Sequence, residues 1–106
     1  MSDTVTIGGQ SNIIALVRLF IKDDNLSYYD IKTIFDKGME KTKSWLKPDT
    51  DLEDVRLEFL TAAVINYEYV KLTKPSDIDK ATKLLKDYAD LCKTLLKDNS
   101  RTELGV

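Results

Sequence analysis

Asn66, Tyr67 and Tyr69 bring polar groups into the otherwise apolar helical stretch TAAVINYEY, and they raise the question of a site. A catalytic amide at Asn66 would need a nucleophile or a general base beside it, and none is recognisable in the sequence. A buried asparagine has another well-attested use, which is to fix the register or the partner of a packed helix. We therefore expect Asn66 to be structural.

The other reactive side chains are few. The single cysteine, Cys92, cannot form an internal disulfide, and the chain has no histidine to activate it as a nucleophile. We expect Cys92 to be a small core residue. The carboxylate pairs Asp23 with Asp24 and Asp77 with Asp79 fall at turns or helix starts, where acidic residues favour the helix N-terminus.

Motifs for phosphate, metal and cofactor binding are absent from the sequence. Gly8-Gly9 is not followed by the lysine and hydroxyl residue of a phosphate-binding loop, and Asp49–Glu53 lacks the glycine and later glutamate of a calcium loop. No cysteines or histidines have zinc spacing. We expect neither a cofactor nor enzymatic activity, and we expect Trp45 to belong to the core.

Composition excludes several broad classes. The chain has 106 residues, 42% hydrophobic and 32% charged, which suits one globular domain with a single core. A net charge of −2 with interspersed lysines disfavours sequence-independent binding to nucleic acid. The longest apolar run, Ile13–Ile21, contains Arg18 and is far shorter than the roughly 20 residues of a spanning helix. It also lacks the flanks of a secretory signal, so we expect an intracellular protein with no membrane association.

Hydrophobic periodicity predicts an all-α, short-loop four-helix bundle at residues 11–97. It would lie between a flexible N-terminal arm, residues 1–10, and a C-terminal tail, residues 98–106. The predicted helices span about 12–22, 28–47, 51–72 and 77–97, the last three opened by capping boxes at Ser27, Thr50 and Ser76. Gly38 on the inner face of the second helix predicts a close crossing with another helix.

The third predicted helix is apolar around most of its circumference. Such a helix is either the centre of a larger core or packed against another chain, and the pattern alone does not decide between them. A second apolar stripe supplies the candidate subunit interface, formed by Ala62, Ile65, Tyr69 and Leu72. Tyr67 and Tyr69 point to nearly opposite sides of a helix, so we expect Tyr67 to serve the core and Tyr69 a neighbour.

The order of these elements resembles that of the small head-tail connector proteins of tailed bacteriophages, also called adaptor or head-completion proteins. The resemblance lies in a short first helix, the acidic turn KDDNL before YDIKTIF (Tyr29–Phe35), a Pro-containing turn after Trp45, the segment LEFLTAAVINY (Leu57–Tyr67) and a final amphipathic helix. It covers about residues 11–97 and rests on helix order and length, without an invariant motif.

The resemblance implies a structural virion protein, made in the host cytoplasm and located at the head-tail interface. Its copies would form a ring, typically a dodecamer, below the portal protein, extend the DNA channel and dock the next neck or tail protein. DNA would slide through without specific binding, which agrees with a net acidic subunit. The candidate partner-docking tail comprises Arg101, Thr102, Glu103, Leu104, Gly105 and Val106.

A second function fits the same pattern. The apolar surface of the third helix would also suit a small intracellular helical regulator or protein-binding module, acting as a monomer or a dimer.

Overall fold

Four α-helices form the body of the protein in a computed structural model that describes residues 8–99. They are α1 (Gln10–Ile21), α2 (Lys32–Trp45), α3 (Val55–Thr73) and α4 (Ile78–Leu91). Within that range the chain forms no strand, apart from one isolated antiparallel bridge between Leu46 and Leu96. The predicted all-α, four-helix fold is confirmed.

α3 is the central helix, and α1, α2 and α4 each pack mainly on it rather than on one another. α1 runs parallel to α3, since Gly9 lies at Glu58 while Phe20 lies near Tyr69. α4 runs antiparallel to α3, since Ala81 lies near Val70 while the ring of Tyr88 stacks on Phe59 with centroids 5.4 Å apart. Three helices thus suffice to bury the middle of α3 almost completely.

Both α2 and α3 start about four residues later than predicted. The capping box at Ser27 forms, with Ser27 Oγ accepting from the Asp30 amide at 3.2 Å, but it opens a single 3₁₀ turn before α2 begins at Lys32. α3 begins later than predicted because Asp54, and not Thr50, caps it: the Asp54 carboxylate accepts from the Arg56 amide at 3.0 Å.

The predicted box at Ser76 does not form. α4 follows a 3₁₀ turn at Pro75–Asp77 and has no side-chain cap. It also ends at Leu91, before the predicted end, and another 3₁₀ turn carries the chain to the bridge at Leu96. Hydrogen bonds from Lys97 N to Trp45 O and from Lys47 N to Leu95 O, both 2.9 Å, hold this segment against the end of α2.

The crossing of α2 over α3 is as close as Gly38 predicts. A Cβ atom on Gly38 would lie 2.6 Å from Ile65 Cγ1, a separation that real Cβ contacts do not show. Thr42, one turn further along α2, is also buried and returns its hydroxyl to the Gly38 carbonyl at 2.8 Å. The two backbones can therefore approach closely, because Gly38 has no side chain and the Thr42 hydroxyl is hydrogen-bonded within its own helix.

The part of the predicted N-terminal arm that the structure describes is held by the body. Gly8 N donates to Leu52 O at 2.9 Å, Gly9 N donates to the Glu58 carboxylate at 3.1 Å, and α1 already begins at Gln10. Residues 1–7 of that arm, and residues 100–106 of the predicted tail, lie outside the described residues. The candidate docking residues from Arg101 to Val106 are among them.

Candidate functional site

Asn66 lies in the middle of α3 with only 4% of its surface exposed, and its amide oxygen has no donor among residues 8–99. The prediction of a buried structural asparagine is therefore right about burial, but the structure shows no partner that would fix helix register. A buried acceptor without a partner costs roughly 1–3 kcal/mol. This residue needs an explanation beyond packing.

A groove of about 410 Å³ opens beside Asn66, between the end of α1 and the start of α4, with α3 as its floor. We call it the Asn66 groove. It is lined by Phe20, Ile21, Lys22, Asn66, Tyr69, Val70, Lys74, Asp77, Lys80, Ala81 and Leu84.

Positive charge predominates around the Asn66 groove. Lys22, Lys74 and Lys80 line it together with one acidic residue, Asp77. None of the three lysines forms an ion pair with another residue of the described range. The groove therefore combines unneutralised ammonium groups with a buried amide and apolar walls, an arrangement suited to binding a group that is both anionic and apolar.

The expected division between the two tyrosines is not what the structure shows. Both are half-buried, and Tyr69 is the one that packs against the main core. Tyr67 lines a second, smaller groove of about 290 Å³ beside Trp45, with Lys71 Nζ 5.8 Å from the centre of its ring. Each tyrosine thus borders a groove on its own side of α3.

The four residues of the predicted subunit interface occupy different environments. Ala62 and Ile65 are fully buried inside their own chain, so the structure leaves them no surface for a neighbouring subunit. Tyr69 is half-buried in the wall of the Asn66 groove, and Leu72, near the end of α3, is 69% exposed. An interface on this side of α3 would therefore depend on Tyr69 and Leu72.

Sequence reasoning missed Glu68, a carboxylate that is only 3% exposed. Lys41 Nζ donates to it at 2.8 Å, and Lys37 and Lys71 approach it at 3.4 and 4.0 Å. The sequence did offer one signal of this buried carboxylate, which is a glutamate within a helix that is apolar almost all round. Its partners Lys37 and Lys41 could not be assigned, because they lie on a different helix.

The lysines around Glu68 keep it charged in spite of its burial. Burial by itself acts to raise the pKa of Glu68, but the hydrogen bond from Lys41 and the charges of Lys41, Lys37 and Lys71 outweigh it and lower the pKa. Glu68 is therefore an ionised carboxylate that joins α2 to α3, with its lysine partners at the surface.

Cys92 is fully buried, as expected for a core cysteine, and its thiol donates to the Arg56 carbonyl with Sγ 3.4 Å from the oxygen. Burial raises the pKa of Cys92 to about 11, against the opposing effect of Arg56. A thiol in this state is a poor nucleophile at neutral pH.

The acidic pairs considered from the sequence do not come together into a site. Among residues 8–99 the structure holds no cluster of three or more histidine, cysteine, aspartate or glutamate side chains able to bind a metal ion. Asp23 instead accepts from the Asn25 amide at 3.0 Å and shapes the turn after α1.

Among residues 8–99 no helix is both long and apolar enough to cross a bilayer.

Comparison with known proteins adds no assignment: the chain matches no protein-family model, no curated protein and no solved structure.

Proposed function

We propose that the chain is a structural subunit of the head-tail connector of a tailed bacteriophage, where copies form a ring below the portal, extend the DNA channel and dock the next neck or tail protein. The single observation that carries this proposal is the helix order. The elements follow the order of the connector family that the sequence resembles. They are a short α1, an acidic turn, α2, a Pro-containing turn, a long α3 and a final amphipathic α4.

The charge of the chain supports the same proposal. A net charge of −2 suits a channel that DNA must pass through without being held. The exposed apolar side chains Leu19, Leu72 and Leu91 supply surface that neighbouring subunits of a ring could cover.

Native mass spectrometry and electron microscopy of the purified full chain, alone and mixed with the portal protein from the same genome, test the proposal. We expect a closed ring that forms on the portal, and we expect the chain in purified virions. A chain that stays monomeric with the portal and is missing from virions would overturn it.

A second candidate function is a small helical binding module that acts as a monomer or dimer. The Asn66 groove is the observation that favours it, because a groove with unpaired lysines and a buried amide needs no ring to bind a partner. A monomer or dimer in the mass measurement, together with a stoichiometric complex with one non-virion protein, would favour this function.

A further inference from the structure

The lysines of the Asn66 groove differ from those of α2. All four lysines of α2, Lys32, Lys37, Lys41 and Lys43, have a carboxylate partner within 3.4 Å. Lys22, Lys74 and Lys80 come from three different segments, converge on one groove and have no such partner in the described range. Such a cluster favours an anionic partner by charge complementarity.

The floor of the groove supplies an amide. Asn66 is the floor residue whose oxygen lacks a donor, and its side chain can turn about χ2, a torsion with a broad and nearly two-fold energy profile. After that turn the oxygen can accept a hydrogen bond from an N–H group in the groove. A peptide backbone offers such a group at almost every residue.

The walls are apolar. Phe20, held against Tyr88 with ring centroids 5.7 Å apart, faces the groove together with Leu84 and Tyr69. A bare inorganic anion would use the lysines and leave these side chains uncovered. A peptide with alternating acidic and apolar side chains would contact the lysines, the walls and the amide at once.

We propose that the Asn66 groove binds an acidic segment of a partner protein, with carboxylates at Lys22, Lys74 and Lys80, an apolar side chain against Phe20 and Leu84, and a backbone N–H at Asn66. This goes beyond the connector function and does not depend on it, because a connector subunit and a free binding module would both present the same groove. Ring formation and peptide binding are therefore separate measurements.

The probe is a fluorescein-labelled synthetic peptide of glutamates and leucines, titrated into the full chain and followed by fluorescence anisotropy. We expect the double variant Lys22→Glu/Lys80→Glu to weaken binding about tenfold or more, since it removes two charge-assisted contacts. Lys86→Glu/Lys97→Glu is the matched control, because both lysines are exposed, neither lines the groove, and their reversal changes the net charge by the same amount. It should leave binding within about twofold.

Asn66→Leu separates binding from folding. Leucine has the same number and branching of side-chain heavy atoms as asparagine and removes the unpaired acceptor, so we expect this variant to melt at a higher temperature and yet to bind the peptide more weakly. In the wild type, the side-chain amide resonances of Asn66 should shift when the peptide is added. A variant that failed to fold could not show the higher melting temperature.

Four outcomes would overturn the proposal. Binding that is unchanged in Lys22→Glu/Lys80→Glu would place the peptide elsewhere, and binding weakened equally by Lys86→Glu/Lys97→Glu would reduce the effect to net charge. Inorganic phosphate that competes as well as the peptide would make the groove a small-anion site. Labelled chain that binds unlabelled chain through the same residues would assign the groove to self-association.

Discussion

Asn66 and Glu68 are two buried polar residues, two positions apart on one helix, with opposite environments. Glu68 has three lysines around it, whereas the amide oxygen of Asn66 has no donor in residues 8–99. A paired buried carboxylate holds elements together, and its loss exposes the desolvation cost of the partners left behind. An unpaired acceptor costs stability, which is why we propose a role for Asn66 in binding and not in folding.

Glu68→Gln should lower the free energy of unfolding by about 1–2 kcal/mol at neutral pH, a modest value because the lysine partners are exposed to solvent. The pKa of Glu68 is lowered in the folded state, so its stabilisation is complete above the ordinary pKa of glutamate and is lost as the pH falls through the folded value. Urea denaturation of both proteins from pH 7 downward should show the difference shrinking below about pH 4.

Glu40→Gln is the matched control, since Glu40 is an exposed carboxylate on α2 that pairs with Lys43 at 3.1 Å. Its effect should stay within about 0.5 kcal/mol. If Glu68→Gln were equally mild, or if its deficit persisted at low pH, the carboxylate would not be the tie between α2 and α3.

At the level of elements, the sequence predicted four helices because their apolar residues recur at helical spacing, and it predicted the α2–α3 crossing because Gly38 lies on the inner face. It could not place the start of α3. Thr50 and Asp54 are both good caps, and only the position of the chain after Pro48 decides which of them meets free amides. Helix ends of this kind depend on tertiary context.

The two grooves beside α3 could not be predicted from the sequence, because they too depend on tertiary context. The Asn66 groove needs the end of α1 and the start of α4 to converge, and the partners of Glu68 come mostly from α2. Ala62 and Ile65 show the converse: an apolar stripe has the same pattern whether it faces its own chain or a neighbour. Periodicity identifies burial, but it does not identify the covering surface.

Gly38→Ala should destabilise the protein by about 1–3 kcal/mol, because the new methyl group would meet Ile65 Cγ1 at 2.6 Å. The higher helix propensity of alanine, worth up to about 1 kcal/mol, does not compensate for that overlap. Thermal and urea unfolding followed by circular dichroism measure the change.

A double-mutant cycle with Ile65→Ala isolates the contact. In that background the overlapping methylene is absent, so Gly38→Ala should be neutral or slightly stabilising, which gives a coupling energy of about 1 kcal/mol or more. Additive effects would mean that the cost arises elsewhere on α2.

At the scale of the whole molecule, three helices packed on one give a flat body of about 35 × 35 × 19 Å. With the middle of α3 buried, the proposed contacts between copies would have to use exposed side chains at its ends or on the other helices. Leu72 near the end of α3 and Val55 at its start are 69% and 59% exposed. These two exposed apolar side chains lie at opposite ends of one helix, so substitutions at the two positions can be compared directly.

Leu72→Ser should weaken ring formation while leaving the free energy of unfolding within about 0.5 kcal/mol, because an exposed leucine contributes little to the fold of its own chain. Val55→Ser is the control and should leave assembly unchanged. Native mass spectrometry at several protein concentrations compares the two. Equal weakening by both changes would show that assembly is not specific to the end of α3 near Tyr69.

The bridge between Leu46 and Leu96 joins two stretches of chain that are far apart in the sequence. Because the amides of Lys47 and Lys97 donate across it, neither proton can exchange with solvent until the segments after α2 and after α4 separate. The two amides should therefore show the same protection factor in heavy water, and that factor would report how often the segment after α4 separates from the end of α2.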